Sequence, residues 1–115
     1  MALTELETRR CEKAIAHFLE RRRPPPHIRE KFDLACRIDG QSVDVVEIRP
    51  TWDDPTTKHE SPVARTTFVR SKNLWKIFWM KRDLKWHGYE PNLDVKSLDA
   101  FFAVIERDQY GCFFG

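Results

Sequence analysis

Apolar residues recur with two different periods along this 115-residue chain, and the changes of period mark its elements. Cys11, Ala14, Ile15, Phe18 and Leu19 follow the i, i+3, i+4, i+7, i+8 spacing of one helix face, while Glu12, Lys13 and Glu20 point elsewhere. Thr4 and Glu7 have the spacing of a capping box, each side chain satisfying a free N–H of the first turn, so a helix starts there. Arg21, Arg22 and Arg23 suit the negative end of the helix dipole and Pro24 to Pro26 cannot continue the helix, which predicts an end near residue 22. From Lys31 to Ile38 the period drops to two: Phe32, Leu34, Cys36 and Ile38 share a face opposite Asp33, Ala35 and Arg37. Asp39-Gly40 then predicts a two-residue hairpin turn, because both positions tolerate positive φ. Pairing Ile38 with Gln41 sets Cys36 opposite Val43, Leu34 opposite Val45 and Phe32 opposite Glu47, which puts Glu47 on the apolar face near its open end.

Residues 50 to 62, between Pro50 and Pro62, show no periodicity and read as a long loop carrying Trp52, Asp53, Asp54 and His59. Strands are predicted over Val63 to Arg70 and Leu74 to Met80, joined by a turn at Ser71-Lys72-Asn73, with a short one from Leu84 to Tyr89 after Lys81-Arg82-Asp83. Asp94 is the expected cap of a second helix whose apolar face is Val95, Leu98, Phe101, Phe102 and Ile105, stopped by Gly111. The expectation is a single α+β domain over residues 1–115: an antiparallel β-meander of four to five strands flanked by an N-terminal and a C-terminal helix, both covering one face. The apolar ending Tyr110 to Gly115 has to dock, on its own domain or on a second copy, and docking within the chain is expected.

Composition narrows the class. The length allows one core, not two. No apolar run approaches the ~20 residues of a membrane span, and Glu5, Glu7, Arg9, Arg10 and Glu12 stand where a signal peptide is apolar. Cys11, Cys36 and Cys112 are scattered and without a CxxC pair, against both a disulfide framework and a structural zinc site, so a cytoplasmic setting without membrane contact is expected. Net charge is only +2, yet residues 61–90 carry seven Lys and Arg against two Asp and Glu, together with three of the four tryptophans. Arg65, Arg70, Lys72, Trp75, Lys76, Trp79, Lys81, Arg82, Lys85, Trp86 and His87 therefore form a basic, aromatic stretch, in which rings can stack on unpaired bases while cations meet phosphates. Strand alternation puts Trp75, Ile77 and Trp79 on one face and Lys76, Phe78 and Met80 on the other. The competing account packs the tryptophans under the helices and leaves the lysines merely solvated.

The stretches RRRPPPHIR, GQSVDVVEIRPTW, LWKIFWMKRDLKWHGYEP and the ending GCFFG together resemble the family known as domain of unknown function 3024. The resemblance covers nearly the whole chain and implies a small cytoplasmic bacterial protein, with no activity to carry over. A second, local likeness is that of Glu47-Ile48-Arg49, in a hairpin after a helix, to the core of the PD-(D/E)xK nucleases, in which convergent carboxylates hold a divalent cation. Here Arg49 replaces the lysine and cannot act as a neutral base, and Asp33 and Asp44 fall on the face opposite Glu47. A structural ion pair, of Arg49 with Glu30, accounts for the same residues. His59, Glu60, His87 and Asp53 lack the spacing of a metal site. Cys11 and Cys36 read as small buried apolar groups. No nucleophile–base arrangement is evident, and four glycines are too few for a phosphate loop, so no catalytic residue, metal or cofactor is expected.

The expected function is a non-catalytic binding module taking single-stranded nucleic acid through Arg70, Lys72, Trp75, Lys76, Trp79, Arg82, Lys85, Trp86 and His87. The alternatives are a protein–protein interaction module, as monomer or homodimer, and a divalent-metal-dependent nuclease. The balance falls against an enzyme.

Overall fold

A computed structural model describes residues 2–115, and its first helix, α1 (Glu5–Arg22), begins where the capping signal stands. Thr4 Oγ1 accepts from the Glu7 N–H at 3.2 Å and Glu7 Oε1 accepts from the Thr4 N–H at 2.8 Å. Cys11, Ala14 and Phe18 are buried along the predicted stripe, with Ile15 and Leu19 packed beside them. Six strands follow: β1 (Asp33–Asp39), β2 (Ser42–Pro50), β3 (Lys58–Val69), β4 (Leu74–Met80), β5 (Trp86–Gly88) and the two-residue β6 (Asp94–Val95). α2 (Leu98–Arg107) closes the order. The sheet is an antiparallel meander from β1 to β5, and β6 also pairs with β4. Because β3 takes the other edge of β4, β5 and β6 lie end to end along its outer edge.

The β1–β2 register differs from the expected one by two residues. Asp39 pairs with Ser42, Cys36 with Val45 and Leu34 with Glu47. The turn is Gly40-Gln41, with Gly40 at φ +59 and no positive φ at Gln41, the pattern that demands glycine only at the first turn position. A two-residue slip keeps every side chain on its expected face, whereas a one-residue slip would have inverted the hairpin. Arg49 accordingly does not meet Glu30; its guanidinium lies 4.4 Å from the Phe32 ring and 3.9 Å from Glu47.

The loop expected over residues 50 to 62 is shorter, because β3 starts at Lys58. Val63 is an extra residue there: Val45 pairs with Ala64 but Val46 with Pro62, a bulge that turns both Val63 and Ala64 into the core. Pro62 falls where β3 has already lost its β4 neighbour, the edge position a strand proline tolerates. Asp94 is not a helix cap. It belongs to β6, and Ser97 caps α2 through the Ala100 N–H at 3.1 Å.

Val43, Val45, Ala64, Trp75 and Ile77 bury one sheet face beneath α1 and α2, which meet through the stacked rings of Phe18 and Phe102. The C-terminal tail packs on the same body. α2 ends at Asp108, which takes φ +45, and its carboxylate accepts from the N–H groups of Phe113, Phe114 and Gly115 at 3.0, 2.8 and 3.1 Å. Phe113 is buried with its ring 4.9 Å from that of Tyr89, and Arg22 lies over Phe114.

Two outcomes follow from these contacts. Asp108→Ala should cost about 1–3 kcal/mol in urea unfolding, since three tail amides lose their acceptor. Asp108→Asn, which keeps one acceptor oxygen and tolerates the left-handed backbone, should cost less; equal stability of all three proteins would contradict this role. Asp33 accepts both arms of the Arg23 guanidinium, at 2.9 Å each, and that fork holds its carboxyl below the usual range. A lowered folded-state value means the pair's stability is complete above the ordinary aspartate range near ~4 and is lost as pH falls through the lowered value. Acid unfolding of Asp33→Asn should therefore show a shallower loss of stability below about pH 4 than that of the native chain.

Candidate functional site

The face of the sheet turned away from the helices carries Asp44 and Val46 on β2, Arg65 on β3, Lys76, Phe78 and Met80 on β4, and Trp86 on β5. Cross-strand pairing sets this group: Asp44 stands opposite Arg65, Arg65 opposite Phe78, and Met80 opposite Trp86. Arg65 donates through its fork to both Asp44 oxygens, at 2.6 and 2.7 Å, and its guanidinium lies 4.7 Å from the centre of the Trp86 ring. The Asp44 carboxylate raises the Arg65 pKa further above its already high value. Phe78 and Trp86 are half-buried, and Lys76 is exposed among them without an ion pair, although Asp94 of β6 is its ladder partner.

Beside this face, the β4–β5 turn projects Lys81, Arg82 and Lys85 into solvent. The turn is tight. Leu84 takes φ +61, the Leu84 N–H donates to the Lys81 carbonyl at 2.9 Å, and the Lys85 N–H donates to Asp83 at 3.0 Å. Asp83 also bonds His87 at 2.8 Å, which lowers the Asp83 carboxyl.

The nine residues expected to bind nucleic acid thus divide. Lys76 and Trp86 share the helix-free face, and Arg82 and Lys85 flank it. Trp75, at 8% exposure, and Trp79, packed against the core beneath Lys81, belong to the opposite side because strand alternation sends 75, 77 and 79 to the helices. His87, paired with Trp79, goes with them. Arg70 and Lys72 form a 3-10 turn at the far end of β4. There Arg70 is tied to Glu7 at 2.6 Å and to the Ala2 carbonyl, and that bond lowers the Glu7 carboxyl. Phe78 and Arg65 complete the helix-free face; the alternation that grouped Phe78 with Lys76 was the signal for the first, while only the β2–β3 register reveals the second.

Glu47 lies on the helix-facing side, opposite Leu34, whereas Asp33 and Asp44 lie on the other side, each clamped by an arginine. Among the described residues no three His, Cys, Asp or Glu side chains are grouped to hold a metal ion. Trp52, 96% exposed, stands on the β2–β3 connection, which Asp54 braces through the hydroxyls of Thr56 and Thr57 at 2.6 and 2.8 Å.

These features define a small α+β protein with an antiparallel sheet covered on one face only. The chain belongs to the family described as domain of unknown function (DUF3024), whose match spans residues 3–115. No curated protein and no solved structure matches it. No helix among the described residues is long and apolar enough to cross a membrane.

All three cysteines are free thiols. Burial pushes Cys36 up to about 12 and Cys11 up to about 11, and burial also raises Cys112. At pH 8 a disulfide reagent should therefore modify Cys112, in the tail, well before Cys11 and Cys36, as peptide mapping after partial labelling would show. Fast labelling of Cys36, which is only partly buried, would contradict its raised pKa.

Proposed function

We propose that the protein is a non-catalytic module, working in the cytoplasm, that binds single-stranded nucleic acid on the helix-free face of its sheet. The observation behind this reading is the placement of two half-exposed rings, Phe78 and Trp86, on a rigid sheet between Lys76 and the basic turn of Arg82 and Lys85. A flat β-surface holds rings at fixed positions for base stacking, and the flanking cations supply phosphate contacts. Arg65 over the Trp86 ring fixes its orientation, and the half-exposed ring keeps surface for a base. Asp94 beside Lys76 tempers the field.

The exposed Trp52 favours a second reading, a protein-interaction surface, since a tryptophan on a braced turn is the kind of anchor that dominates interfaces. The nuclease has no comparable observation behind it.

Titration of fluorescein-labelled single-stranded RNA and DNA tests the first reading. With Lys76, Arg82 and Lys85 as the phosphate contacts, affinity should fall about twentyfold between about 50 and 200 mM salt. Lys76→Glu/Lys85→Glu should weaken binding and flatten that dependence. Trp86→Ala should lose about 1–3 kcal/mol of binding, with Trp86→Phe recovering part of it, and Asp94→Asn should bind more tightly. If the native chain and the charge-reversed variant bind equally poorly at low salt, the nucleic-acid reading fails and a protein partner takes its place.

A further inference from the structure

On the opposite side of the sheet, where α1 passes the start of α2, a groove of about 660 Å³ opens to solvent. That volume lies within the range of small-molecule sites. Its floor is apolar, formed by Cys11 and Ala14 of α1, Trp75 of β4 and Leu98 of α2, all buried in the main core. Its rim is cationic. Arg10, Lys13 and His17 project from α1 at i, i+3 and i+7, one helical face, and Lys96 faces them from the β6–α2 junction. Among the described residues none of these four has an ion-pair partner.

Two carboxylates also line the groove and set the balance. Glu7 is spent, because Arg70 at 2.6 Å and the Thr4 N–H at 2.8 Å hold it. Asp99 has no ion pair, so Arg10, Lys13 and Lys96 face a single uncompensated negative charge. The first amides of α2, at Leu98 and Asp99, have no partner within their helix and add to the positive field at the same rim. An apolar floor beneath a net positive rim selects for a molecule that carries both characters.

We propose that this groove binds an amphipathic organic anion, with its phosphate or carboxylate head between Lys13 and Lys96 and its apolar body on Trp75 and Leu98. The site is separate from the helix-free sheet face: Trp75 points to the helices and Lys76, the next residue, to the other side. Either site can be occupied or lost without the other.

The probe is 1-anilinonaphthalene-8-sulfonate, whose anionic group and apolar rings match the two halves of the groove and whose fluorescence reports binding. The expected result is saturable binding, displaced by octyl phosphate or octanoate and not by inorganic phosphate at the same concentration. The ratio of the two displacers tells whether a phosphate or a carboxylate head is preferred. Lys13→Glu/Lys96→Glu should weaken probe binding at least about tenfold. Both side chains are exposed, and an unchanged circular dichroism spectrum and melting temperature would show the variant folded. Lys76→Glu/Trp86→Ala, on the other face, should leave the probe affinity unchanged. Displacement by inorganic phosphate as effective as by octyl phosphate would overturn the amphipathic ligand. Unchanged probe binding in the folded Lys13→Glu/Lys96→Glu variant would overturn the site.

Discussion

Phe18 and Phe102 stack at 4.4 Å and 10°, both fully buried, at the crossing of α1 and α2. Such a pair contributes about 0.5–1.5 kcal/mol beyond its buried area, a modest figure, but its geometric effect is larger. It joins two helices at opposite ends of the sequence on the same side of the sheet. Arg21 continues the seam to Glu106 at 2.9 Å, and Arg22 reaches Phe114 of the tail. With both helices committed to one face, the other has no helix to cover it, and the open sheet face is a consequence of that commitment.

Much of this arrangement was legible in the sequence because the hydrophobic periods are long and clean. The α1 stripe, the capping box and the alternation of β1 and β4 each follow from side-chain geometry alone. The errors occurred where several local choices were nearly equal. Asp39-Gly40 and Gly40-Gln41 both make acceptable turns, and the slip between them preserves the face of every residue, so periodicity could not separate them. Asp94 and Ser97 are both good caps, and Val95 fits the helical spacing as well as it fits β6; pairing with Trp75 and Lys76 decided between them, a contact some twenty residues away. The bulge at Val63 depends on a register that no local pattern encodes.

The candidate sites were legible only in part, for the same reason. Alternation separated Trp75 and Trp79 from Lys76 and Phe78, yet the basic stretch as a linear segment mixes two faces and two ends of β4. Arg65 gains its place over Trp86 from cross-strand pairing, and Arg70 is drawn to α1 by Glu7. Arg10, Lys13 and His17 have the i, i+3, i+7 spacing of one helix face, and nothing in that spacing distinguishes it from an ordinary solvated face. It acquires meaning only when the fold brings Lys96 opposite it.

The way charge is used connects the two surfaces. Seven of the eight ion pairs among the described residues use arginine, the eighth uses His87, and none uses any of the eight lysines. Arginine's planar fork suits fixed bidentate contacts such as Arg23–Asp33 and Arg65–Asp44, so the carboxylates nearest the core are consumed in holding elements together. Lysine presents a hydrated point charge on a flexible stem, which gains little from a fixed exposed pair. Each arginine pair removes one cation with one carboxylate and so leaves the net charge of +2 unchanged, but it leaves Lys13 and Lys96 unpaired at the groove and Lys76 and Lys85 at the sheet face. Both surfaces present cations already freed of structural duty beside apolar groups held rigidly, which is the combination an anionic partner with an apolar or aromatic part requires.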